Sequence, residues 1–195
     1  FYMCENYQEI LRILGVEFCI YENSKYRTGY GVVANTIFSI MNNEDFSHDV
    51  FHYYSGKINE RANRNWITEE GIAYWWGNAY YKDPKGDMIS HQQLVKALEN
   101  YLHKHPETSL FSLFENNPKI FNQLAPEVSV RSTIAGIIAQ QVEKEKGAKG
   151  ITQLINAGSQ DRLQSFLKAT DALIGINQEN FNQKLKTIIK KNRPQ

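Results

Sequence analysis

From Phe46 onward, apolar residues recur at helical spacing, and the breaks between them fall on proline, glycine and asparagine. Ahead of it the longest β-branched and aromatic run is 29–40. A short strand-bearing part followed by a long helical run reads as α+β: a small N-terminal β part followed by a mostly helical domain. In the β part, Ile10, Leu11, Ile13 and Leu14 predict a helix over 5–14 that Gly15 ends. A strand is expected over 16–21, then a turn at Glu22-Asn23-Ser24, then extended chain over 29–40, with Asn42 to Asp45 polar and cap-like. The helical part is expected to open with a helix over 46–55 closed by Gly56, and a polar loop over 57–65. An aromatic helix over 69–81 follows, with Thr68 as N-cap. Asp83-Pro84-Lys85-Gly86 reads as a turn. An amphipathic helix over 88–104 stops before Pro106, and two short pieces over 109–124 divide at Asn117-Pro118. A helix from Pro126 to about Lys146 comes next, then shorter ones over 151–156, 160–168 and 179–191.

The 195 residues fit one domain spanning 1–195. A formal net charge of +1 offers no excess of positive charge for a phosphate backbone, so nucleic acid is excluded as a partner class. No apolar run approaches the ~18–20 residues of a transmembrane segment. Two cysteines cannot build a disulfide scaffold or a four-thiolate metal site. Cys4 and Cys19 pair with each other or stay as small buried thiols. The chain starts at Phe1 without an initiator methionine, so an N-terminal region is expected to have been removed. Oligomeric state is not legible.

The chemistry concentrates in His48-Asp49-Val50-Phe51-His52. On a helix, positions i and i+4 share a face, so two imidazoles can hold one divalent ion, and zinc accepts such ligands. The residue after the first histidine can reach water on that ion, the role of glutamate in HExxH; here it is Asp49. Alone the pair is a weak signal, equally consistent with two hydrogen-bonded helix histidines above Val50 and Phe51. Such a site needs a third protein ligand. Trp66-Ile67-Thr68-Glu69-Glu70-Gly71-Ile72-Ala73 supplies carboxylates at the start of the next helix. Acids in a first helical turn also stabilise the macrodipole without any metal.

Together these two segments resemble the gluzincin zinc metallopeptidases, closest to the peptidase MA-like group, whose HExxH helix is followed by W-[LI]-x-E-G-x-A. The resemblance runs in order over residues 16–190. It includes the helix Ile134 to Gln141, the segment Glu145 to Ile151, and the closing stretches Phe166 to Ile176 and Phe181 to Leu185. It implies a zincin-like fold, a Zn2+ cofactor held by His48, His52 and Glu70, and Asp49 as catalytic base. It also implies hydrolysis of a peptide or protein substrate through activated water. Aligned on Gly71, the third ligand is Glu70 and not Glu69. The resemblance and the missing start together point to a secreted or cell-envelope location.

Two positions depart from that pattern. Asp49 is one methylene shorter than glutamate, and Tyr74 stands where many relatives carry an acid that orients a zinc histidine. Hence an alternative: a catalytically impaired domain of the same fold with a binding or structural role. A third reading is a helical interaction domain with incidental histidines. Tyr74, Tyr80, Tyr81 and Arg131 are candidate oxyanion donors. Trp75, Trp76, Tyr80 and Tyr81 are expected to pack beneath the histidine helix. His91 reads as a cap or surface residue, and His103 and His105 as a solvated helix end.

Overall fold

The computed structural model describes residues 2–18, 30–33, 36–40, 46–79, 83–125 and 127–192. The elements run β1 (Tyr2–Cys4), α1 (Tyr7–Phe18), β2 (Tyr30–Val33), β3 (Thr36–Ile40), α2 (Phe46–Ile58), α3 (Trp66–Gly77), α4 (His91–Lys104), α5 (Leu110–Asn116), α6 (Val130–Ile155), α7 (Arg162–Ile174) and α8 (Phe181–Lys191). The fold is therefore α+β, a small sheet followed by a helical domain. Among the described residues no helix is long and apolar enough to cross a membrane.

The sheet has the order β1-β3-β2. β1 runs parallel to β3, with Tyr2 opposite Phe38 and Cys4 opposite Ile40. β2 runs antiparallel to β3, with Val33 opposite Thr36. The extended 29–40 segment is thus two strands rather than one. α1 covers the sheet and encloses a small core of Cys4, Tyr7, Ile10, Ile13, Leu14 and Phe38. The Tyr2 ring stacks on Phe38 at 5.4 Å. α1 runs through Gly15 to Phe18, so 16–18 are helical where a strand was expected. A mid-helix glycine costs about 1 kcal/mol, which burial of Ile10, Ile13 and Leu14 against Phe38 outweighs. Cys4 is buried. Cys19, the turn 22–24, the polar residues 42–45, Tyr80, Tyr81 and Pro126 lie outside the described residues.

The helical core is separate and larger. α3 is its axis, packed along α6 on one face and against α2 on another. Asn65, not Thr68, caps α3: its side chain accepts from the N–H groups of Ile67 and Thr68. Thr68 lies inside the helix and donates its hydroxyl to the Leu154 carbonyl, tying α3 to the end of α6 at 3.0 Å. α2 passes through Gly56 to Ile58. α6 unites the two helices expected there, with one non-helical residue, Gly147 (φ 63°). α7 extends past 168 to Ile174, and Lys104 closes α4 two residues before Pro106.

His91 also departs from its surface reading. Ser90 caps α4 through a capping box with Gln93, which leaves His91 at the first helical position, turned inward. It is buried, and neither ring nitrogen has a hydrogen-bond partner among the described residues. A Cβ on Gly136 of α6 would lie 2.7 Å from its Cε1, so the ring fills the space that glycine leaves. Burial pushes its pKa down to about 4. The unfolded chain then binds a proton that the folded one refuses, so stability is full above about pH 6.5 and falls as pH drops toward 4. A shift of this size is worth roughly 3 kcal/mol at most. In urea melts across pH 4–7, His91→Leu should flatten the acid limb relative to the parent. Parallel pH profiles would show that the ring takes up protons freely in the fold.

Candidate metal centre

α2 and α3 bring together the three side chains on which the sequence reading depends. His48 and His52 lie one turn apart on α2, and Glu70 faces them from the first turns of α3. Each offers one ligand atom, and these atoms lie within 4.8 Å of one another. His48 Nε2 and His52 Nε2 are 3.2 Å apart. His52 Nε2 lies 3.3 Å from Glu70 Oε1, and His48 Nε2 lies 3.9 Å from Oε2. Tetrahedral ligands about 2.05 Å from a common ion stand about 3.3 Å from one another. The observed separations bracket that value, so the donor set fits a metal ion.

The surroundings favour ligation. His48 Nδ1 lies 3.2 Å from the Asn78 carbonyl, so this nitrogen carries the proton and Nε2 keeps its lone pair facing Glu70. Burial first, and the neighbouring His52 second, push the His48 pKa down to about 4, which keeps the ring neutral. Burial alone would raise the Glu70 carboxyl. Its hydrogen bond to His52, with the charges of both histidines, outweighs that and holds it below the usual range. The indole of Trp66, half exposed, stacks on the His52 ring at 5.2 Å and 15° and fixes its plane. Asn78 follows α3 with a positive φ of 67°, which aims its carbonyl at His48. Asn78 is not among the residues the sequence singles out, since the group that acts is a backbone carbonyl. The Gly77-Asn78 pair, a helix-stop signal, marks the place.

Asp49 is buried next to this group. Burial, reinforced by Glu70 and opposed by His52, pushes its pKa up to about 6. Glu69 has a different role. It is fully buried and accepts from Arg64 Nε at 2.8 Å and Arg64 Nη2 at 2.9 Å. Ser55 of α2 also donates to it. Glu69 is thus a tie between α3, the preceding loop and α2, and Glu70 is the carboxylate turned toward the histidines.

Of the other residues singled out, Tyr74 and Arg131 line one cavity of about 540 Å³ together with Glu70 and Trp66. The Tyr74 hydroxyl accepts from the Ser129 N–H at 3.3 Å. Trp75 packs against the helical core. Trp76 meets the Phe51 ring of the histidine helix edge-on at 5.6 Å but stays half exposed, so it packs on that helix without being buried. His103 and His105 are exposed at the end of α4.

No protein-family model matches the chain. No solved structure gives a significant match. Over 137 residues, 63% of this chain, the sequence is 23% identical to human ectonucleotide pyrophosphatase/phosphodiesterase family member 5. The aligned region spans 28% of that protein's length, so the chain corresponds to about a quarter of the relative it is similar to. The geometry offers a His-His-Glu group able to hold a metal ion; the comparison adds a distant similarity to a protein named for phosphodiester chemistry.

Proposed function

We propose that this chain is a metal-dependent hydrolase, and specifically a zinc metallopeptidase-like domain in which His48, His52 and Glu70 hold the ion and Asp49 is the base. The observation that carries this reading is the spacing of the three ligand atoms, 3.2, 3.3 and 3.9 Å. Two nitrogens and one carboxylate oxygen that leave a fourth position open are the donor set of catalytic zinc. When bound, the ion would supply a Lewis acid that polarises a carbonyl and acidifies water. Asp49, with its pKa raised to about 6, can take a proton from the attacking water near neutral pH and return it to the leaving amine. The Asn78 carbonyl and the Trp66 indole hold the two imidazoles in their ligating orientations.

One observation favours a second reading, the same domain with hydrolysis lost: the Asp49 carboxylate is a methylene shorter than the glutamate of HExxH. Positional errors near 1 Å can cost ~10²-fold in rate. The distant relative supports hydrolysis more broadly and makes a phosphodiester the control substrate. Protein prepared without chelators should contain one zinc per chain by elemental analysis, and His48→Ala should contain none. The zinc form should cleave a mixed peptide library and leave bis(p-nitrophenyl) phosphate intact. Asp49→Ala should lower the peptide rate ~10²-fold or more. Absence of zinc would overturn the metal reading. Cleavage of the phosphodiester alone would overturn the peptidase reading. A gain of peptidase activity in Asp49→Glu would identify the parent as a dormant site.

A further inference from the structure

The cavity beside the metal group holds a cation that the proposed reaction does not use. Arg131, the second residue of α6, is half-buried in its wall. One edge of the guanidinium is occupied: Nε donates to the Phe114 carbonyl at 2.7 Å, and Nη2 donates to the carbonyl of Glu115. These are carbonyls of the last turn of α5, which the helix itself leaves unsatisfied. A guanidinium has two such edges, each shaped to a planar pair of acceptors. The second, which contains Nη1, meets no carboxylate or carbonyl among the described residues. The first edge, by fixing the side chain, removes most of the rotamer entropy that binding would otherwise cost.

The rest of the wall divides by depth. Glu127, Asp161 and Arg162 line the cavity from exposed positions, where solvent screens them. Tyr74 and Ser132 are buried, Glu70 is partly so, and Glu70 would be neutralised by a bound cation. The inner wall is thus left with Arg131 as its net charge. A volume of about 540 Å³ lies inside the ~300–1,000 Å³ range of small-ligand sites. We infer that Arg131 is a specificity-determining anchor that receives a substrate carboxylate in the cavity next to the metal group. The assignment rests on the hydrolase reading for its place in a reaction, and it makes acidic peptides, or peptide C-termini, the preferred substrates. Both offer the same planar anion.

The test is calorimetric titration of the full chain with three probes: penta-alanine with a free C-terminus, its C-terminal amide, and the amide carrying one glutamate. At least one carboxylate-bearing probe should bind about tenfold or more tightly than the plain amide, as expected of a charge-assisted bidentate contact. Which one binds better identifies the source of the carboxylate. Arg131→Gln should abolish the preference without lowering zinc content, and Arg131→Lys should retain part of it. A purely structural cap on α5 would leave the acid-to-amide ratio unchanged in these variants while lowering the melting temperature. Equal affinities in the parent, no binding of any probe, or a preference that survives Arg131→Gln would overturn the assignment. The parent ratio decides even if the variant does not fold. Zinc content is read separately, so loss of the metal reading and loss of the carboxylate anchor are distinguishable.

Discussion

Glu69→Gln and Glu70→Gln, one residue apart, are expected to fail in opposite ways. Glu69 is fully buried, and both its oxygens are committed to Arg64, with Ser55 donating to one of them. Neutralising it leaves the Arg64 guanidinium facing an amide that can accept only through one oxygen. Removing one partner of a buried ion pair costs ~3–5 kcal/mol, because the other charge stays desolvated. The Arg64 side chain keeps some contact with solvent, which places the expected loss near the lower end, about 3 kcal/mol. Glu69→Gln should therefore lower the urea midpoint strongly while the surviving folded protein still binds zinc. Glu70→Gln should do the reverse. Among the described residues its carboxylate pairs with the two imidazoles alone, at 3.3 and 3.9 Å, so metal-free stability should change by less than about 1 kcal/mol. A neutral amide oxygen is a poor replacement for an anionic ligand, and zinc affinity should drop at least about a hundredfold. Denaturation of the metal-free proteins beside competition with a chromophoric chelator reads both effects. Zinc loss in Glu69→Gln at unchanged stability would mean that the two carboxylates have been assigned the wrong way round.

How this pair was separable from sequence, and what was not, follows from the range of each interaction. The i,i+4 histidines and the Glu-Gly step carry local information: one helical face, one glycine against which a register can be set. Position along the chain therefore favours Glu70 over Glu69, and Glu70 is the carboxylate that lies near the two imidazoles. The ends of elements needed distant partners. Asn65 looks like loop sequence until its amide is seen donating to the carbonyls of Gly158 and Arg162, which anchors the start of α3 from almost a hundred residues away. Thr68 has the composition of a cap but donates to Leu154 instead. β1 is three residues long, too short to show a period, and exists because β3 pairs with it in parallel. The Asn78 carbonyl is backbone, and no side-chain pattern encodes where a carbonyl points. His91 reads as a cap or surface residue because it stands at the start of its helix; the deciding fact is the absence of a side chain at Gly136, on another helix.

Glycine at two positions of α3 sets the distances on which the proposed metal centre depends, and alanine at each should separate helix packing from ligand placement. A Cβ on Gly71 would stand 2.6 Å from the Ala135 Cβ, 2.7 Å from the Ala135 carbonyl carbon and 2.8 Å from the Gly136 nitrogen. On Gly77 it would overlap the His48 nitrogen and stand 2.7 Å from both the His48 Cα and the Ser47 carbonyl carbon. Most of these neighbours are backbone, which cannot swing aside as a side chain does, so relief requires a whole helix to move by roughly 1 Å. Overpacking of this kind costs ~1–3 kcal/mol or more. Both variants should melt earlier, but they push different helices. Gly71→Ala drives α3 away from α6, and α2, which packs on a different face of α3, can travel with it, so the three ligand atoms keep their spacing. Gly77→Ala drives α2 from α3 at His48 itself and widens the gap to Glu70. With ligand atoms now 3.2–3.9 Å apart, an added ångström exceeds what one ion can bridge at ~2.0–2.2 Å per ligand. Zinc affinity should therefore drop at least about tenfold further in Gly77→Ala than in Gly71→Ala at matched loss of melting temperature. Equal zinc affinity in the two variants would show that the α2–α3 contact at Gly77 does not set the position of His48.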